Sequence, residues 1–185
     1  YGFQWRHSGA KYVDCQTDYT SQGVDQLANV INGLKKDPFG RRHIINTWSP
    51  PDLDKMALTP CHAMVQFFVD SNKGLSCMMT QRSADLMLGV PFNVASYSML
   101  TMLIAKCCDL KPREFIHSIG DCHIYEPHYD NAKIQASRIP ITFPKLEIKN
   151  SSSIKTIEDL EKLSFKDFKL IDYNYHPTLK YKFIV

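Results

Sequence analysis

Between Gly23 and Lys36 the apolar residues Val24, Leu27, Ala28, Ile31 and Leu34 recur at helical spacing, and Pro38 closes the run. The pattern predicts an amphipathic surface helix. The period then changes: Arg42 to Trp48 and His62 to Val69 are rich in β-branched and aromatic residues and predict strands. Ser71-Asn72-Lys73-Gly74 supplies turn chemistry, so His62 to Val69 and a partner strand from Leu75 to Arg82 form a predicted hairpin. From Phe92 onward apolar residues fall nearly all round a helical wheel, which predicts a helix buried on every side against a sheet. Phe115 to Tyr125 reads as a strand and Glu126 to Arg138 as a second, more polar helix. Pro140 and Pro144 lead into a short strand from Leu146 to Lys149; the polar run Asn150 to Ser153 is a loop, and Ile154 to Phe168 resumes the apolar pattern.

Composition adds bounds to this outline. A chain of 185 residues with 44% hydrophobic and 22% charged residues suits one domain over 1–185 that buries its own core without staples. A net charge of +3, from basic residues scattered between Arg6 and Lys182, gives no indication of nucleic acid. The six cysteines at 15, 61, 77, 107, 108 and 122 form no C-x-x-C pair, so they are read as thiols of a reducing, cytoplasmic setting. The most apolar run, Val94 to Cys108, is too short and too often interrupted to span a bilayer.

Candidate chemistry concentrates in one stretch. Cys61 stands between Pro60 and His62, with Gln81-Arg82-Ser83 and then Asn93 downstream. A thiol nucleophile, a cation and a base-reading carboxamide are the equipment for covalent chemistry on an anionic heterocycle. A free thiol titrates near ~8.5, so Cys61 needs a cation beside it to become thiolate, and Arg82 is the local candidate. The other five cysteines read as small buried hydrophobes. A metal site built from Cys61, His62, Cys122 and His123 lacks zinc-like spacing, and no metal is expected. Asn93 offers one acceptor and two donors, so by itself it could face uracil or, turned over, cytosine.

The string Pro60-Cys61-His62-Ala63, Thr80-Gln81-Arg82-Ser83-Ala84-Asp85 and Leu88-Gly89-Val90-Pro91-Phe92-Asn93-Val94-Ala95-Ser96-Tyr97 resembles the thymidylate synthase family. The resemblance covers nearly the whole chain. It extends, in order, over Tyr1-Gly2-Phe3-Gln4-Trp5-Arg6, Asp37-Pro38 with Arg41-Arg42, Asp54-Lys55-Met56-Ala57-Leu58, Gly120-Asp121-Cys122-His123-Ile124-Tyr125 and Phe143-Pro144-Lys145-Leu146. It implies an α/β (α+β) fold with a large mixed sheet, covering helices, and two such sheets packed back to back in a homodimer. It further implies reductive methylation of deoxyuridylate through a covalent adduct on Cys61, with methylenetetrahydrofolate as co-substrate and no metal.

The resemblance also assigns roles. Cys61, Tyr1, Arg82 and Asn93 match catalytic positions. Arg82, Ser83 and the pair Arg41-Arg42 match phosphate ligands, the pair reaching across the dimer interface, while His62 and Gln81 support the nucleotide. His123 and Tyr125 match residues that bond the sugar hydroxyl, and strand alternation would place positions 121, 123 and 125 on one face. Asp85 matches the carboxylate that holds the pterin, with Leu86, Gly89 and Phe92 as the adjoining apolar wall and Met87 as packing. The end of the chain, Tyr181 to Val185 including Ile184, matches a tail that folds over the ligands. Thr80, where tyrosine is usual, and Tyr175, where proline is usual, depart from the pattern. Relatives carry a substantial portion before the position of Tyr1, in some cases with a dihydrofolate reductase domain, so the 185 residues read as the carboxy-terminal part of a longer polypeptide, inactive when isolated. Two competing readings are a deoxycytidylate hydroxymethylase, in which aspartate replaces Asn93, and a non-catalytic interaction fragment.

Overall fold

A computed structural model describes residues 1–149 and 151–184; the predicted Asn150 and the last residue of the tail, Val185, lie outside the described residues. The predicted surface helix is α2, Gln26–Lys36, which follows α1, Gly2–His7. The α2 helix starts where the Asp25 side chain accepts from the Ala28 N–H, which supplies a partner for one of the unpaired amides of the first turn. The short α1 is held from outside: Arg6 pairs with Asp25 at 2.8 Å and with Glu161 at 2.6 Å. Gln26 bonds the Gln4 carbonyl and, on both sides of its amide, the backbone of Asn46.

Four strands make a mixed sheet in the order β1-β2-β3-β4: β1 Ile44–Asn46, β2 His62–Val69, β3 Gly74–Asp85 and β4 Lys111–His123. The first two pairings are antiparallel and β3 with β4 is parallel, the crossover being α3, Gly89–Cys107. The predicted hairpin closes on Asp70, whose carboxylate accepts from the backbone N–H of Asn72 and Gly74, both at 2.8 Å. Lys73 takes a left-handed φ of 61°, and a Cβ on Gly74 would lie 2.8 Å from the Asp70 carboxylate. A side chain at 74 would therefore have to displace that carboxylate from the turn.

Alternation gives the sheet two unlike faces. Val65, Phe67 and Val69 of β2 and Leu75, Cys77 and Met79 of β3 point to one side, where Val30 and Leu34 of α2 and Tyr97, Ile104 and Ala105 of α3 complete the core. The other side carries Gln66, Phe68, Ser76, Met78, Glu114 and Ile116 around a shallow depression of about 220 Å³, with Phe68 59% exposed. A second sheet pairs β5, Lys145–Ile148, with β6, Phe168–Ile171. It is tied to α2 and α3 through Ile154, which packs with Ile31 and Cys107.

Several expectations need correction. The α3 helix is not buried all round: Tyr97, Thr101, Ile104, Ala105 and Cys107 are buried against the sheet, whereas Pro91, Phe92, Val94, Ala95 and Ser96 are exposed, because the sheet covers one side of it only. The single helix expected over 126–138 is divided into a 3₁₀ turn, Glu126–His128, and α4, Tyr129–Ser137, with Pro127 in the first turn. The strand expected over 42–48 is only β1, since Thr47 turns its hydroxyl onto the carbonyls of His62 and Ala63. The stretch 154–168 holds the short helix α5, Ile157–Glu161, and a 3₁₀ turn before β6.

Candidate functional site

The site grows from the point where β2 begins. Register shifts between His62 and Met64: His62 faces Gln81 while Met64 faces Thr80, so one extra residue is accommodated on β2. A bulge of this kind turns the following side chains over. Without it His62 would share the outward face of Met64; with it His62 lies on the helix-covered side with Gln81 and Met79.

Just ahead of the bulge, Cys61 is half-buried and its neighbours are fixed by Arg82. The Arg82 backbone N–H donates to the Cys61 carbonyl at 2.9 Å, its Nε donates to Pro60 O at 3.0 Å, and its Nη2 donates to the carbonyl and hydroxyl of Thr59, both at 2.9 Å. The same Nη2 lies 3.8 Å from Cys61 Sγ, which brings the guanidinium against the sulfur. Among the described residues Nη1 has no protein partner and is free for an anion; the guanidinium carbon stands 5.8 Å from the Trp48 ring centroid. The Tyr1 phenol accepts from the Cys61 backbone N–H at 2.5 Å. Burial, aided by the Cys61 side chain and opposed by that backbone N–H and by Arg82, pushes the phenol above its ordinary value. Burial silences two other thiols, Cys77 and Cys108, both pushed up to about 12, whereas Cys15 and Cys122, expected to be buried, are exposed.

Behind the thiol, a chain of contacts joins Tyr97, His62 and Asn93. Tyr97 Oη lies 3.0 Å from His62 Nδ1, and Asn93 Nδ2 lies 2.9 Å from His62 Nε2. Burial, aided by nearby His117, lowers the basicity of His62 below the ordinary imidazole, so it is neutral. A neutral ring has one donor. With Asn93 Nδ2 donating to Nε2, the ring proton sits on Nδ1 and goes to Tyr97. Asn93 Oδ1 is then left buried and without a partner. An orphaned acceptor of this kind is costly unless a ligand donor meets it. Next door Gln81 donates to Ser83 O at 2.9 Å and its Oε1 meets His117 Nε2 at 2.8 Å, so Gln81 is locked in place, while the Ser83 hydroxyl is unengaged among the described residues.

At the far end of β3, Asp85 Oδ1 accepts from the N–H groups of Met87 and Leu88, at 3.0 and 3.3 Å, which starts the turn into α3. Its Oδ2 has no protein partner among the described residues, so the carboxylate fits a ligand that presents N–H donors. Asp85 pairs in register with His123. His123 Nδ1 lies 3.2 Å from Asp121 Oδ1, and the Tyr125 ring meets His123 edge-on at 5.0 Å, so the three predicted side chains do assemble, although Tyr125 lies beyond the end of β4. Leu86 and Met87 line a cavity of about 510 Å³ with Pro91, Ile124, Ala136 and Tyr181. Gly89 sits beside Asp85 and Asn93 instead, Phe92 is 71% exposed, and Ile184 is half-buried.

Arg41 and Arg42 are exposed ahead of β1, and among the described residues neither guanidinium has a partner; they are not drawn into the cluster around Cys61. Among the described residues no group of three or more His, Cys, Asp or Glu side chains is disposed to hold a metal ion. No helix among them is long and apolar enough to cross a membrane. Sequence reasoning missed Tyr97, His117 and His128. Tyr97 had a signal, since it lies four residues after Asn93 and hence on the same helix face.

At the head of the bulged strand of this mixed sheet, the structure brings the Arg82 guanidinium to the Cys61 thiol and the half-buried Asn93 carboxamide to His62. Residues 1–185 match the family model for thymidylate synthase, and the chain belongs to that family. It is 50% identical over 193 residues to the thymidylate synthase of Saccharomyces cerevisiae, covering 100% of this chain and 62% of the yeast protein. It is 50% identical over 185 residues to that of Homo sapiens, covering 100% and 57%. Against the bifunctional dihydrofolate reductase-thymidylate synthase of Paramecium tetraurelia it is 52% identical over 185 residues, covering 100% and 38%. The chain thus spans less than two thirds of the length of these relatives.

Proposed function

We propose that the polypeptide carrying this chain is a thymidylate synthase, converting deoxyuridylate to thymidylate through a covalent adduct on Cys61. The observation that carries the reading is the buried, unpartnered Asn93 Oδ1, on a carboxamide that bonds His62, the residue directly after a thiol in contact with Arg82. Uracil offers a ring N–H beside a carbonyl. Asn93 Oδ1 accepts the first and the second hydrogen of Nδ2 meets the other, which is the opposite of what cytosine requires.

Arg82 lies against the Cys61 sulfur and offers Nη1, with the Ser83 hydroxyl, to the phosphate. The thiolate adds to the sixth carbon of the ring; the S–C bond forms as the ring double bond opens, and the electron pair passes toward the carbonyl that Asn93 engages, making the fifth carbon nucleophilic. His123 and Tyr125 hold the sugar hydroxyl. Tyr1, bonded to the Cys61 amide, stands where a proton can be handled. Asp85 holds the pterin of methylenetetrahydrofolate, which when bound supplies the carbon and the hydride.

Assembly belongs to the same proposal. The uncovered sheet face with Phe68 and Ile116, and the unpartnered Arg41 and Arg42, support a homodimer in which each arginine pair serves the neighbour's phosphate. The whole polypeptide, incubated with 5-fluorodeoxyuridylate and methylenetetrahydrofolate, is expected to carry the adduct on Cys61 in peptide mass mapping. An adduct on another cysteine, or none, overturns the reading.

A further inference from the structure

Of the seven histidines in the chain, His128 is the one with no exposure at all, and nothing in the chemistry above uses it. It ends the 3₁₀ turn before α4 and touches two separate parts of the molecule. On one side its Nε2 lies 2.8 Å from the carbonyl of Lys182, and the Tyr181 ring meets it edge-on at 5.1 Å. One turn further on, Asn131 Nδ2 donates to the carbonyl of Lys180 at 2.7 Å. On the other side His128 Nδ1 faces Asp85 Oδ1 at 3.8 Å, too long for a hydrogen bond, and is buried without a partner.

We infer that His128 is a positioning residue: through the Lys182 carbonyl, and together with Asn131 on Lys180, it seats the 180–184 segment beside the turn that follows Asp85. Lys182 O can only accept, so Nε2 carries the proton and the ring is oriented by the tail. The two side chains that grip the segment, at 128 and 131, recognise main chain, so they fix its path whatever side chains it carries. Tyr181, pinned between them, forms one wall of the cavity whose other walls include Leu86 and Met87, the residues directly after Asp85. A single imidazole therefore lies between the tail and the ligand-facing turn. The consequence for the ligand at Asp85 rests on the proposed function; the seating of the tail does not.

The test uses the whole polypeptide and three variants. His128→Phe keeps a flat ring and removes both nitrogens, His128→Gln restores an amide donor near Nε2, and Asn131→Leu removes the second grip at a half-buried position. Trypsin cleavage after Lys180 and Lys182 reads tail release. Loss of one such bond is worth about 1 kcal/mol, so release in His128→Phe should quicken about five- to tenfold, with His128→Gln close to the parent. The KM for methylenetetrahydrofolate should rise about as much in His128→Phe, while equilibrium binding of deoxyuridylate alone stays within about twofold. Parent-like tryptic release in His128→Phe overturns the inference, as does a Gln variant as loose as the Phe variant, since the ring alone would then matter. If His128→Phe does not fold, Asn131→Leu decides: faster release is expected, and the parent rate overturns it. A parent without turnover would refute the proposed function and leave the proteolysis result standing.

Discussion

Replacing Tyr97 by phenylalanine isolates the element on which base reading depends. The Tyr97 ring is 4% exposed, stacks on Phe115 at 5.6 Å with an interplanar angle of 11°, and meets His62 edge-on at 5.2 Å. Phenylalanine keeps all of these contacts, so only the hydroxyl is lost and no cavity larger than one oxygen is made. Burial pushes the Tyr97 phenol well above its ordinary value, so the group removed is a neutral hydroxyl at any working pH. What remains is a buried His62 Nδ1–H with no acceptor, at a cost of about 1–3 kcal/mol. The ring can relieve this by moving its proton to Nε2, but Asn93 must then turn over to accept it, and the carboxamide would present the cytosine pattern. Urea unfolding should show a lower midpoint with an unchanged slope. The ratio of kcat/KM for deoxyuridylate over deoxycytidylate should fall about tenfold, the share of that energy that goes into the flip. An unchanged midpoint together with an unchanged ratio would refute the relay.

Mixing subunits tests the shared site: Arg42→Glu and Cys61→Ser proteins, each nearly inactive alone, should regain activity after subunit exchange, because one hybrid site carries neither lesion. No recovery with exchange verified would place the arginines in their own chain's site. Acid titration tests the neutral histidine. Because His62 binds its proton less readily in the folded state than the unfolded value of about 6.5, the unfolded chain holds more protons in the window below that value, and stability falls as pH drops through it. The slope of the unfolding midpoint between about pH 7 and 5 should flatten, without vanishing, in His62→Gln, since His117 is shifted the same way by burial; an unaltered slope would remove His62 as its source.

The parts of this fold that local pattern could show are those governed by local pattern. The alternation of Val65, Phe67 and Val69 places β2 at the residues expected, and the spacing of Ile31 and Leu34 gives α2. The 3₁₀ turn at Pro50–Lys55 and the helix Gly2–His7 escaped because neither has a periodic stripe, and α1 is held by distant partners, Asp25 and Glu161. Burial of α3 was overestimated because composition reports how apolar a helix is, not how many sides of it are met. At the site, Cys61, Arg82 and Asn93 stood out by type and proximity, whereas Asp85, His123 and Tyr125 came only with the family resemblance. The bulge that turns His62 inward could not, since it depends on pairing with a strand whose register no single segment encodes. His128 sits in a polar stretch with no local signal, and its partners lie at positions 85 and 182.

The bonds from Arg82 to Thr59 and Pro60 have a consequence for how this protein can vary. They weld the segment before Cys61 to the middle of β3, so the thiol's position is inherited from the sheet and not from the loop that delivers it. Past Asp52, which accepts from the buried Gln4, the stretch from Leu53 to Leu58 should therefore tolerate a changed length or turn among descendants and engineered versions, provided that chain geometry resumes at Thr59. A single inserted residue between Thr59 and Arg82's partner strand would instead shift the nucleophile off its cation. Tolerance to length change should end abruptly at one peptide bond.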